Sequence, residues 1–123
     1  MKEIIAIVRP RMVPATRKVL EELGLPGITG AAVLGRGKQR GIASEVSFPI
    51  EPDLLSRGKS GGMKFVPKRY LTIVVEDTQV DKVIDAIVRT NQTAQIGDGK
   101  IFVCPIEDSM RVRTGERGDD ALR

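Results

Sequence analysis

One pattern of apolar and polar positions occurs twice along the chain. Residues 3–23, EIIAIVRPRMVPATRKVLEEL, lie without a gap over residues 70–90, YLTIVVEDTQVDKVIDAIVRT. Each copy has an apolar run, a polar break and then a spaced apolar stripe. In the first, Ile4, Ile5, Ile7 and Val8 form the β-branched run of a buried strand, and Pro10 ends it. Val13, Val19, Leu20 and Leu23 then recur on one helical face, and Gly24 is placed to stop the helix. In the second, Leu71, Ile73, Val74 and Val75 make the strand, and Asp77 or Thr78 is placed to cap a helix. Val80, Val83, Ile84, Ile87 and Val88 supply its buried stripe, and Asn91 and Gln92 its polar end. A further β-type run follows each helix, at 28–34 and at 101–103, the latter continuing toward Ile106 and Val112.

This is β-α-β twice over. It predicts an α+β fold of the ferredoxin-like kind, a double β-α-β sandwich with two helices on one face of a four-stranded antiparallel sheet. The strands are apolar at successive positions, so both sheet faces call for burial. The helices cover only one, which predicts that the other meets another subunit in a homo-oligomer, most simply a closed ring. A chain of 123 residues is expected to form one domain, 1–123. No apolar run approaches the roughly 20 residues a membrane span needs, and MKEIIAIVRP turns polar too early for a secretory signal, so the expected location is the cytoplasm.

The repeat is interrupted by residues 36–64, RGKQRGIASEVSFPIEPDLLSRGKSGGMK, which lack sustained periodicity and greatly exceed an ordinary connection. Such a loop is expected to read a partner, with EPDLLSRG able to make a helical turn. Charge sharpens the picture. The net charge is +4, yet residues 36–69 hold eight Lys or Arg against three Asp or Glu, leaving the remainder slightly negative. That balance fits phosphate, carboxylate or an acidic partner surface. At the loop's root, LGRGKQRG (34–41) sets cations and one neutral amide, Gln39, among glycines. TAQIGDGKIFV (93–103) places Gly97 and Gly99 around Asp98, with Lys100 before a strand. Glycines let successive N–H groups converge on an anion, though for this stretch alone a tight turn entering a strand is the better account. It is not a Walker A loop, because the spacing is wrong and no helix follows. RVRTGE (111–116) places Arg111 and Arg113 on one face of an expected extended segment, able to grip polyphosphate bidentately.

Residue types also exclude chemistry. There is no histidine, and Cys104 is the only cysteine, so an intrachain disulfide, a Cys/His zinc site and histidine-based catalysis are ruled out. Cys104 is expected in the core. An enzyme, such as a small nucleotide hydrolase or phosphotransferase, would have to use carboxylates such as Asp98 and Glu116. Asp98 reads better as a turn holder and Glu116 as a solvated group, and no nucleophile–base pair is apparent. Aromatic residues make up only 3%, too few for the stacking platforms of single-strand nucleic-acid binders.

Four segments together carry a family resemblance: GLPGITGAAVLGRGKQRG (24–41), VPKRYLTIVV (66–75), TNQTAQIGDGKIFV (90–103) and RVRTGE (111–116). The chain resembles the PII signal-transduction proteins, trimeric ferredoxin-like regulators of nitrogen metabolism, over essentially its whole length. The resemblance implies that the insertion, about 36–64, is the target-docking T-loop and that ATP or ADP binds between adjacent subunits. By the same resemblance Gly27, Thr29, Val74, Arg111 and Arg113 line one side of the nucleotide site, and Gly35, Gly37, Lys38, Gln39, Gly97, Gly99 and Lys100 the other. Gln39 helps bind Mg²⁺, to which ATP and 2-oxoglutarate coordinate, and Lys68 pairs with a 2-oxoglutarate carboxylate. A neutral amide oxygen suits a hard cation without adding negative charge beside phosphates.

Some positions depart from the family pattern. Tyr70, the only tyrosine, falls in a strand, so control by loop uridylylation is not expected. Lys38 replaces a common arginine, Thr72 stands where an acidic residue often meets the ribose, and Ala94-Gln95 replaces Gly-Lys. The long loop together with GRGKQRGI and PKRYLTIVV looks most like the nitrogenase-associated branch of archaea and anaerobes. That implies a homotrimer, or a mixed oligomer with a paralogue, that inhibits dinitrogenase by binding it directly, an inhibition relieved by 2-oxoglutarate and ATP. A PII-like regulator of an ammonium transporter or another metabolic enzyme is the neighbouring reading. The C-terminal segment, about 107–123, could fold over the nucleotide.

Overall fold

A computed structural model describes residues 1–37 and 65–123. The strands are β1 (Lys2–Val8), β2 (Thr29–Gly35), β3 (Val66–Val75) and β4 (Lys100–Pro105), and the helices α1 (Val13–Glu22) and α2 (Val80–Asn91). They form one four-stranded antiparallel sheet in the order β2-β3-β1-β4. The ferredoxin-like α+β arrangement is thus as the periodicity predicts.

The gap-free overlay carries through to the core. Ile4, Ala6 and Val8 are buried, and so are Leu71, Ile73 and Val75, their counterparts 67 positions later. Leu20 and Ile87 match in the same way on the two helices, as do Thr16 and Val83. Alternation explains the pattern, because every second strand residue points to the helices. Thr16 is the polar exception. Its hydroxyl donates to Met12 O at 2.7 Å and accepts from Asn91 Nδ2 at 3.0 Å, a buried link between the helices.

The strand ends differ from expectation in two places. Neither Asp77 nor Thr78 caps α2. Asp77–Gln79 form a 3-10 turn, and Gln79 leads into the helix with no side-chain cap. The Asp77 carboxylate instead meets the N-terminal ammonium at 3.0 Å, which lowers its pKa. β4 also stops at Pro105 instead of running toward Ile106 and Val112, since proline cannot donate to the ladder.

The face turned away from the helices carries Ile5, Ile7, Val33, Tyr70, Phe102 and Cys104, by register. Phe102 is half exposed there. Cys104 is therefore a half-buried residue of this face and not a core residue. Among the described residues no helix is long and apolar enough to cross a membrane.

Candidate functional site

The candidate residues gather at the two ends of the sheet's open face. At one end β2 finishes at Gly35 opposite Val66, and β4 begins at Lys100 opposite Ile7. A cleft of about 360 Å³ lies between them, lined by Gly35, Gly37, Lys68, Gly97, Gly99 and Lys100 together with Arg36, Val66 and Phe102. Six residues singled out from sequence thus share one cleft. Lys38 and Gln39, and the remainder of the loop to residue 64, lie outside the described residues.

The turn bordering this cleft is held hard. Ala94, Gly97 and Gly99 have φ of 63°, 101° and 120°, the left-handed region that favours glycine. A Cβ on Gly99 would sit 2.0 Å from Ile7 O, so glycine is required there by close packing on β1. Asp98 ties the turn together. Its carboxylate accepts from Arg9 Nη1 at 2.6 Å, from Thr93 N at 2.7 Å and from the Thr93 hydroxyl. The Thr93 hydroxyl, then the Arg9 guanidinium, hold its pKa well below the usual carboxylate range. Asp98 therefore holds its turn, as read from sequence.

Two cations fix the peptide planes. Arg9 Nη2 donates to Ile96 O at 3.0 Å, and Lys68 Nζ to Gly97 O at 2.7 Å. Both side chains are buried, 6% and 7% exposed. Lys68 thus lines the cleft and is tied to the turn. Arg9 is the residue that sequence reasoning missed. Continuing the β1–β4 register beyond Ile7–Lys100 brings position 9 beside position 98, a relation invisible until the pairing is known.

The other end of the face holds Thr29, Thr72 and Val74. Thr29 pairs with Thr72, whose hydroxyl donates to Glu3 Oε2 at 2.6 Å. A carboxylate from β1 therefore stands beside the position where the family pattern often has an acidic residue. Val74 borders a smaller cleft of about 160 Å³ closed by Leu122 and Arg123. Gly27 is exposed on the approach to β2.

Arg111 and Arg113 do not lie on an extended segment. Residues 110–117 fold as a short hairpin, with Gly115 N donating to Arg111 O at 2.7 Å and a bridge between Met110 and Arg117. Arg111 pairs with Glu116 at 2.6 Å, and its other terminal nitrogen donates to the carbonyls of Asp120, Ala121 and Arg123. Arg113 is exposed and has no such partner among the described residues. Glu116 is thus paired and not merely solvated. The tail folds back through Arg123, which meets Glu76 at 2.9 Å.

Comparison with known proteins decides what this arrangement is. Residues 1–116 match the family model described as nitrogen regulatory protein P-II. The chain belongs to the P-II family. A nitrogen fixation nifHD1 region GlnB-like protein 2 of Methanosarcina barkeri is 53% identical over 123 residues, covering 100% of both chains. The nifHD region GlnB-like protein 2 of Methanothermobacter marburgensis is 52% identical over 122 residues, 99% of this chain and 100% of that one. The crystal structure of Arabidopsis thaliana PII bound to citrate superposes with a TM-score of 0.74 at 35% identity, covering 99% of this chain and 89% of that one. P-II proteins are regulators of nitrogen metabolism and not enzymes, and this chain sits with the nif-region GlnB-like members. These matches bear out the family resemblance and the regulatory reading.

Proposed function

We propose that this P-II chain senses ATP or ADP together with 2-oxoglutarate at clefts between the subunits of a trimer, acting in the cytoplasm. The loop at about 36–64 then controls a target protein, dinitrogenase, by direct binding. The observation that carries the reading is the separation of the candidate residues. Thr29 and Gly35 are the two ends of β2, on the order of 20 Å apart at the usual rise of a strand. One bound nucleotide cannot touch both ends on the same chain, whereas a neighbouring copy can bring its far end to this copy's near end.

The chemistry of each end supports the division. The cleft at Gly35, Gly97, Gly99 and Lys100 offers lysines and a glycine turn to phosphates. The end at Gly27, Thr29 and Val74, with Glu3 behind Thr72, offers hydroxyl and carboxylate groups to a sugar. Arg111, once released from Glu116 and the tail carbonyls, would add positive charge there, with Arg113 contributing from the same hairpin. Lys68 is the candidate for a 2-oxoglutarate carboxylate, and the citrate in the Arabidopsis protein is likewise a polycarboxylate. Gln39 and Lys38 would contribute from the loop root, with Mg²⁺ on the Gln39 amide oxygen supplying charge between phosphate and carboxylate. The nif-region names of the relatives favour a nitrogenase component as the target, with the assembly a homotrimer or shared with a paralogue.

Calorimetric titration of 2-oxoglutarate, with and without saturating Mg-ATP, tests the reading. Binding only in the presence of Mg-ATP is expected. ATP binding without any 2-oxoglutarate response would reduce the protein to a nucleotide sensor. Gln39→Ala is expected to abolish 2-oxoglutarate binding while largely sparing ATP, and unchanged 2-oxoglutarate affinity would reject the role of Gln39.

A further inference from the structure

The turn at 93–100 holds one non-glycine residue, Ala94, in left-handed backbone at φ 63°, and the two left-handed residues that follow, Gly97 and Gly99, are glycines suited to it. Left-handed backbone is disfavoured for any residue with a Cβ, so the turn needs outside contacts to hold its shape. Besides Lys68, those contacts come from one residue at β1's exit. The planar fork of Arg9 donates from one nitrogen to the Asp98 carboxylate and from the other to Ile96 O. The same carboxylate grips Thr93 twice, by its amide and its hydroxyl.

The consequence for binding follows from peptide geometry. In a trans peptide the C=O and the following N–H point in opposite directions. Arg9 pins the Ile96 carbonyl, which fixes the Gly97 N–H the other way, and that N–H has no hydrogen-bond partner among the described residues. Lys68 pins the next carbonyl, that of Gly97, while the following N–H, on Asp98, donates to Gln95 O at 3.4 Å inside the turn. The Gly97 N–H, fixed in the cleft it shares with Lys100, binds an anion without first having to be ordered.

We infer that Arg9, acting through Asp98 and Thr93, is the positioning residue of the phosphate-binding turn in this protein. The inference deepens the nucleotide reading above and rests on it. Arg9 touches no ligand in this scheme. Its work is to hold the 96–98 peptides in their binding orientation before a polyphosphate arrives. Lysine cannot replace it fully, because an ammonium lacks the rigid fork that spans a carboxylate and a carbonyl.

The test uses the full chain and two probes, ATP and inorganic tripolyphosphate, titrated by calorimetry into wild type, Arg9→Met, Arg9→Lys and Thr93→Val. Hydrogen exchange of the 96–100 amides is measured without ligand. Arg9→Met is expected to weaken both probes by on the order of tenfold, about 1.4 kcal/mol. Arg9→Lys should recover part of that loss, a response that a purely structural role would not produce in affinity. Thr93→Val, an exposed position that leaves the core intact, should weaken both probes about threefold and speed exchange across the turn. Thr93→Val also decides the case if Arg9→Met does not fold. Wild-type affinity and unchanged exchange in the folded variants would overturn the inference, as would lower melting temperature with no loss of affinity. Should the wild type bind neither probe while Thr93→Val still loosens the turn, the clamp stands and the nucleotide reading falls.

Discussion

Arg9 and Glu76 occupy the same place in the two halves of the repeat. Each follows a strand, each leads into a 3-10 turn, and their backbones agree closely, φ −66° and ψ 141° against φ −65° and ψ 149°. Each also holds a segment that carries candidate binding residues. Arg9 holds the turn through Asp98, and Glu76 holds the C-terminal tail through Arg123. The surroundings differ. The Arg9 side chain is 7% exposed in its ion pair, whereas that of Arg123 is 67% exposed. A desolvated, multiply bonded charge fixes geometry and is costly to break, while an exposed pair is screened by water and salt. One fold position thus yields a rigid element and a releasable one. Arg111 is on the releasable side, its guanidinium taken up by the tail's own carbonyls.

The sharpest way to break the comparison is Gly99→Ala. A methyl group 2.0 Å from Ile7 O, at φ 120°, must push the turn off β1. A loss of about 3 kcal/mol in denaturant unfolding is expected, at the upper end of the cost of a single backbone strain. Near-wild-type stability would mean that the turn is not rigid after all.

Acid titration separates the two regions next. Asp98 and Asp108 both have lowered pKa values, Asp98 from the Thr93 hydroxyl and Arg9, Asp108 from Arg117 and the Ser109 amide. A depressed carboxylate stabilises the fold above its unfolded pKa of about 3.9, and this contribution is lost as pH falls through the folded value. The Ser109 amide resonance is therefore expected to move before that of Thr93 as the pH drops below about 4. The reverse order would show the tail to be the better-held region.

The smallest effect concerns the tail alone. Deleting residues 118–123 removes the Arg123–Glu76 pair and frees Arg111 from the terminal carbonyls. No measurable change in melting temperature is expected at 0.5 M salt, because exposed pairs are already screened there. A large drop would place the tail with the rigid elements.

Periodicity alone named most of the core. A gap-free overlay of 21 residues gave Ile4, Val8, Leu20 and their counterparts, because alternation and helical spacing are local consequences of burial. It missed the small Ala6 and the polar Thr16, and it counted Leu23 and Val88, which stand at the exposed margins of their helices. The four motif segments likewise marked the glycine turn, Lys68 and the arginine hairpin. Periodicity did not show where the local elements stop, so Asp77 drew off to the N-terminus and Arg111 into a hairpin. Nor did it reveal Arg9, a single cation before a proline with no motif of its own. Only the tertiary structure decided that Arg9 stands beside Asp98, 89 positions away in sequence. It also placed Thr29 and Gly35 at opposite ends of one strand, Gly35 with the glycine turn and Thr29 beside Thr72. The physical reason is register: hydrophobic pattern says which face a strand buries, but the pairing of β1 with β4 sets which charges finally meet.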